Sequence, residues 1–312
     1  MFEGGDAVLG GNETRPLYRN IGFENSQRDD PMSSCDLKFV MKKLFRDAKP
    51  GNNNLELALL ILMTYDSVAR GGEAKFQDLT DWAYDNLLHV TDTMWAESKT
   101  LKSYSMARIP DEDPLFDWYF LFGAYVMCED GLFRSEKQIA DNMLNKVFPN
   151  LHCIQNTSVT TKITEVIRSN LPPGLTPEEK LKYSAKSLRQ AAITQLSIHP
   201  SINIFTANAR IGHSTGTNNA SYLDKKNPVR GLPAAHAVHG QKDSFTEVIA
   251  PRMTEDVLGE ANAAKALKLV DAFFPSVNVP DFKKGGRLWV VLKIAAASLL
   301  KHYHKALKLG NN

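Results

Sequence analysis

Arg70, Arg189, His213 and Tyr222 follow one another along a chain of 312 residues, with Arg189 24 positions ahead of His213 and Tyr222 nine positions after it. Residues of these types could grip a phosphodiester and attack it with a phenol. A tyrosine hydroxyl titrates near ~10 and is a poor nucleophile at neutral pH, so it needs positive charge around the phosphate. Two guanidiniums stay ionised, present planar paired donors, and can stabilise the charge that develops on phosphorus. A histidine can donate or take a proton, and a lysine can protonate the departing hydroxyl. The scheme calls for no metal and no cofactor. It keeps the energy of the broken bond in a phosphotyrosine, so cutting is reversible.

Such a set has to be carried by defined elements. Asp36 to Phe45 reads as a helix, and Lys49-Pro50-Gly51 as a turn before an apolar run, Leu55 to Met63, that predicts a helix ending near Arg70. Alternating and aromatic residues from Leu87 to Ile109 predict a small antiparallel sheet. Helices are expected over Asp117 to Met127, Ser135 to Lys146 and Val159 to Asn170. Leu171-Pro172-Pro173-Gly174 then breaks the chain, and Thr176 caps the way to the helix of Arg189, which should run to Leu196 before His199-Pro200 ends it. The fold class is therefore α+β, mainly helical with one small antiparallel sheet.

The ordered set resembles the catalytic domain of the tyrosine recombinase and integrase superfamily. Arg70 and Glu73 match its arginine with an acid three residues on, and Lys99 in Ser98-Lys99-Thr100 matches its hairpin lysine, with Lys102 as the competitor. Arg189 in Lys186-Ser187-Leu188-Arg189, Gly212-His213 and Tyr222 complete the order. One departure stands out: Lys186 occupies a place where the family most often has histidine. The resemblance spans roughly Ser34 to Lys226, and the Arg-Gly-Gly-Glu box is similar to that of eukaryotic mobile elements such as cryptons. It implies a DNA breaking and rejoining fold. Tyr222 would be the nucleophile that forms a 3′-phosphotyrosyl link, Arg70, Arg189 and His213 would hold the phosphate, and Lys99 would be the general acid. Lys186 would assist at the phosphate and Glu73 would buttress the pocket. Double-stranded DNA is the implied partner, with several protomers assembling on it as a homo-oligomer. A nuclear location follows if the source is eukaryotic.

Net charge is only +2, but its distribution is uneven. Between Leu181 and Arg230 seven bases, among them Lys182, Arg210, Lys225 and Lys226, face one acid, Asp224, whereas Ile109 to Asp130 holds six acids and no base. A basic face around the proposed site and an acidic surface elsewhere would orient the protein on a phosphate backbone, with Lys102, Lys182, Arg210, Lys225 and Lys226 as the candidate DNA contacts.

Other constellations read as weaker. His236 and His239 are three apart, but Gly231, Pro233 and Gly240 predict a loop and no further ligand lies near, so no metal site is expected. His302 and His304 flank Tyr303 in a basic helix and predict a solvated face. Cys35, Cys128 and Cys153 are few and widely spaced, which suits reduced thiols in an intracellular protein. No apolar stretch suits a membrane span, since Leu288 to Leu300 carries Lys293, and no secretory signal is read at Met1.

The expected organisation is a flexible tail over 1–34, a catalytic domain over 35–230, and a linker with helices over 231–312. Asn227 to Pro233 reads as the linker, and Thr254 to Phe273 and Arg287 to Leu307 as two helices that either hold an assembly together or fold back on their own domain. The 69 residues before Arg70 are too few for the family's usual N-terminal DNA clamp. Two other functions fit the same residues: relaxation of DNA by a type IB topoisomerase, and a domesticated DNA-binding protein that has lost catalysis.

Overall fold

The computed structural model describes residues 29–49, 52–70, 72–86, 88, 90–95, 104–128, 146–152, 154–200, 202, 206, 207, 210, 228–241, 264, 268, 270–274 and 280–311. Helix α1 (Ser34–Arg46) starts at Ser33, whose hydroxyl oxygen accepts the Asp36 N–H at 3.0 Å, and it buries Leu37, Val40, Met41 and Leu44 on one stripe. Helix α2 (Asn54–Asp66) is different in kind, because every residue from Leu55 to Asp66 is buried. A helix apolar on all sides belongs at the centre of a core, and α2 packs against α1 and three later helices.

A three-stranded antiparallel sheet follows, β1 (Trp82–Asp85), β2 (Val90–Trp95) and β3 (Tyr104–Arg108), in the order β1-β2-β3 with Trp82 opposite Thr93 and Thr93 opposite Met106. Helix α3 (Trp118–Cys128) lies behind it. Trp82, Trp118 and Phe122 meet with ring centroids 5.1 to 5.3 Å apart and weld sheet to helix. The short α4 (Pro149–His152), α5 (Asn156–Ser169), α6 (Pro177–Leu181) and α7 (Ala185–Ile198) come next, then α8 (Pro228–Val238) and α9 (Trp289–Asn311). Thr176 and Ser184 each close a capping box, at α6 and α7.

Several sequence expectations are corrected. The apolar helix ends at Asp66, four residues before Arg70, because the chain turns at Val68. Asn227 to Pro233 is not a linker: Pro228 opens α8, a place where proline fits, and Leu232 and Ala235 pack on Val90, Ala107 and Ile109 of the sheet side. His302 is fully buried rather than solvated. Nor do the four described acids after Ile109 form an unpaired acidic surface, while Glu129 and Asp130 lie outside the described residues. Asp111 bonds His239, Glu112 pairs with Lys301, Asp113 with Lys38, and Asp117 is buried under α9. The helix expected at Ser135 and most of the one at Thr254 lie outside the described residues, as do the first 28 positions.

Helix α9 completes the main core by packing along α3. Gly123 permits that approach, since a Cβ there would stand 3.2 Å from the Ala295 carbonyl oxygen and 3.1 Å from Leu299 Cδ1. Gly123→Val is expected to lower stability by about 1–3 kcal/mol through overpacking, read as a lower urea midpoint with an unchanged slope. Asp117 fastens the same contact. One carboxylate oxygen accepts the Phe120 N–H at 3.0 Å, and the other lies 2.9 Å from Ser298 Oγ and 3.0 Å from His302 Nε2. Asp117→Ala removes a helix cap and strands two buried polar groups, which should cost about 3–5 kcal/mol in chemical denaturation.

Candidate active site

The site begins where α2 stops. Ser67 N–H donates back to the Met63 carbonyl, and Val68 adopts φ 53°, the left-handed region that a β-branched residue rarely enters. Val68 is fully buried, and its N–H donates to the Tyr65 carbonyl at 3.0 Å. Backbone strain of this sort costs on the order of 1–3 kcal/mol and persists only where the surroundings hold it. Two residues later the turn delivers Arg70 to the surface, with 49% of its side chain exposed.

Glu73 fixes Arg70 with both carboxylate oxygens. Oε2 accepts the Arg70 backbone N–H at 2.9 Å, and Oε1 accepts from Nη1 at 3.0 Å. The guanidinium is thereby oriented at the surface while Glu73 itself stays largely covered. Arg189 arrives from α7 and donates from Nη1 to the Val68 carbonyl at 2.7 Å. A half-buried arginine thus hydrogen-bonds to the turn that presents the exposed one. Two residues 119 positions apart in the chain come to one place. Lys186 stands one turn before Arg189 on α7, exposed, and Lys182 is exposed at the end of α6. Arg70, Lys186 and Lys182 are thus exposed cations, carried by the turn after α2, by α7 and by the end of α6.

Arg210 is placed differently from the expectation of a DNA contact. Its side chain is buried, and Nε and Nη2 donate to the Asp66 carbonyl oxygen at 3.0 and 2.5 Å. Lys99 and Lys102 belong to the connection between the paired strands β2 and β3, outside the described residues. His213, Tyr222, Lys225 and Lys226 fall between Arg210 and α8, also outside them.

Beneath the arginines lies a polar network that sequence reading missed. His239, just past α8, sets Nε2 2.8 Å from Asp66 Oδ1 and Nδ1 3.0 Å from Asp111 Oδ2. Burial works against charge on this ring, yet the Asp66 carboxylate and then Asp111 outweigh it and push its pKa up to about 10. Burial likewise opposes ionisation of Asp111, but the His239 hydrogen bond and charge hold it below the usual carboxylate range. Arg108 adds a buried guanidinium 3.9 Å from Asp66 Oδ2. The only sequence signal was an acid closing an otherwise apolar helix. Nothing in the order of residues ties Asp66 to a histidine 173 positions away.

No protein-family model matches the sequence, and no curated protein matches it. Among solved structures, a Flpe mutant in a DNA Holliday junction complex is similar over 95% of this chain and 69% of its own, with 12% identity and a TM-score of 0.50. The fold is that of a tyrosine recombinase. The described elements bring Arg70, Glu73 and Arg189 to the Val68 turn. Among the described residues no group of three or more His, Cys, Asp or Glu side chains is arranged to hold a metal. No described helix is long and apolar enough to cross a membrane.

Proposed function

We propose that the protein cuts and rejoins double-stranded DNA at specific sites through a 3′-phosphotyrosyl intermediate. The observation that carries this reading is the meeting of Arg70 and Arg189 at the Val68 turn, in a fold shared with a tyrosine recombinase. Tyr222 Oη attacks the scissile phosphorus, the P–O5′ bond breaks, and the new bond joins the phenol oxygen to the 3′-phosphate. The phenol proton passes to His213, and Lys99 protonates the departing 5′ oxygen. Arg70 and Arg189 neutralise the non-bridging oxygens as charge builds, with Lys186 beside them and Glu73 keeping Arg70 aimed. Attack by a 5′-hydroxyl from another strand reverses the step and exchanges partners. Lys182 and Lys186 face the flanking backbone, and Arg210 is left out of the DNA-facing set because its guanidinium is buried. Exchange between two duplexes needs several protomers assembled on DNA.

Covalent trapping tests the reading. The full chain is mixed with a random-sequence pool of nicked duplexes in the presence of a chelator, and denaturant-resistant adducts are sought. An adduct enriched in one sequence, formed by an oligomer on DNA, supports recombination. An adduct on any sequence from a monomer points instead to a topoisomerase of type IB. Salt-sensitive DNA binding with no adduct points to a domesticated binding protein.

A further inference from the structure

Asp66 is gripped from both sides of the segment that carries His213 and Tyr222. Arg210, the last described residue before that segment, donates twice to the Asp66 carbonyl. The chain is described again at Pro228, and His239 at the far end of α8 bonds the carboxylate of the same residue at 2.8 Å. Asp66 itself is the final residue of α2, four positions before Arg70. The return leg is braced further. Gln241 Nε2 donates to Asp111 Oδ2 at 3.0 Å, His199 Nε2 lies 3.0 Å from the Gln241 carbonyl oxygen, and the Tyr65 hydroxyl donates to the Val238 carbonyl at 2.9 Å.

Resting on the reading above, we propose that Asp66 is a positioning residue: its carboxylate clasps His239 and the end of α8, and its backbone carbonyl clasps Arg210, to the helix end that leads into the Arg70 turn. Well-packed apolar groups would stabilise such a site as well as a buried carboxylate and imidazole do, so stability alone does not explain the pair. A fixed register between two distant stretches of chain does. The groups facing His239 are Asp66 from α2 and Asp111 from the chain after β3, with the Phe116 ring edge-on at 6.3 Å; Arg108 reaches it through Asp66. With the pKa raised from 6.5 to about 10, the stabilisation by His239 is fully present below 6.5, declines as pH rises, and is gone above about 10. Protonation of Asp111 removes its share at the acid end.

Asp66→Asn and His239→Gln, which nearly preserve volume, test the clasp in the full chain. Hydrogen exchange of residues 228–241 is expected to quicken at least tenfold in both variants while α5 exchanges as before. Unchanged exchange in 228–241 overturns the clasp whatever the enzyme does. The melting temperature gap between wild type and His239→Gln should be widest at mildly acidic pH, below 6.5, and close as pH rises toward 10, a trend a merely space-filling histidine would not produce. In single-turnover trapping, adduct formation should slow at least thirtyfold with DNA affinity within threefold of wild type, and the double variant should be no slower than either single one. Adduct rates within threefold of wild type, or rate and affinity falling together, overturn the positioning role. A wild-type chain that forms no adduct overturns the recombinase reading, and the exchange and melting measurements still decide the clasp.

Discussion

Tyr222→Phe should abolish the covalent adduct entirely while leaving DNA binding within about twofold of wild type. The substitution deletes one oxygen, and that oxygen is the atom that bonds to phosphorus. Attack by water in its place would release a free phosphate end rather than a protein-linked one. Expected adduct yield therefore falls below detection, more than 10⁴-fold, a loss larger than removal of any single transition-state donor produces. On the proposed reading affinity comes from phosphate contacts of Lys182, Lys186 and the arginines, and the variant leaves those side chains unchanged. Gel analysis after boiling in detergent reads the adduct, and fluorescence anisotropy at fixed salt reads the affinity. Adduct formation by Tyr222→Phe at the wild-type rate would assign the nucleophile elsewhere.

Arg189→Ala is expected to lower the rate of adduct formation by about 10³-fold or more. Loss of one preorganised donor to a developing oxyanion costs about 10²–10³ in rate. Arg189 does more than donate: its Nη1 holds the Val68 carbonyl, and the Val68 turn, strained at φ 53°, sets the place of Arg70. Removing it loosens the second arginine along with deleting the first. Arg70→Ala should accordingly cost less than Arg189→Ala, and the double variant should fall little below Arg189→Ala alone. Arg189→Lys keeps the charge and can still reach one acceptor, but loses the planar fork, so an intermediate rate is expected. Single-turnover rates across the four variants decide this. Full additivity would mean that the two arginines act independently and that the turn is not their shared support.

The contrast between those arginines and the clasp beneath them explains what the sequence could reveal. Arg70, Glu73 and Arg189 were legible because their chemistry is carried by residue type and linear order, and because Glu73 lies three positions from Arg70 and can reach it through local geometry alone. Helices α1, α3, α5 and α7 were legible for a similar reason, since an apolar stripe and a cap such as Ser33 are local signals. Helix α8 was misread as a linker because Gly231 and Pro233 are breakers in isolation; packing against Leu232 and Ala235 overrides them. His302 was misread, and the partners of His239 were missed, for another reason. Whether a histidine is solvated or buried depends on which carboxylate the fold sets opposite, and Asp66 and Asp117 lie 173 and 185 positions away from them.

Helix α9 carries a consequence for biosynthesis. Trp118 to Cys128 cannot hide their apolar face until residues from Trp289 to His302 reach them, and Asp117 has no hydroxyl or imidazole to bond before Ser298 and His302 arrive. Contacts this distant close late, because the loop entropy must be met before the contact rewards it. A nascent chain that has already emerged through Arg189 would therefore lack a finished core. Completion of that core is thereby tied to emergence of α9 from the ribosome, and ribosome-stalled fragments ending before Trp289 should be far more sensitive to protease than those that extend beyond it.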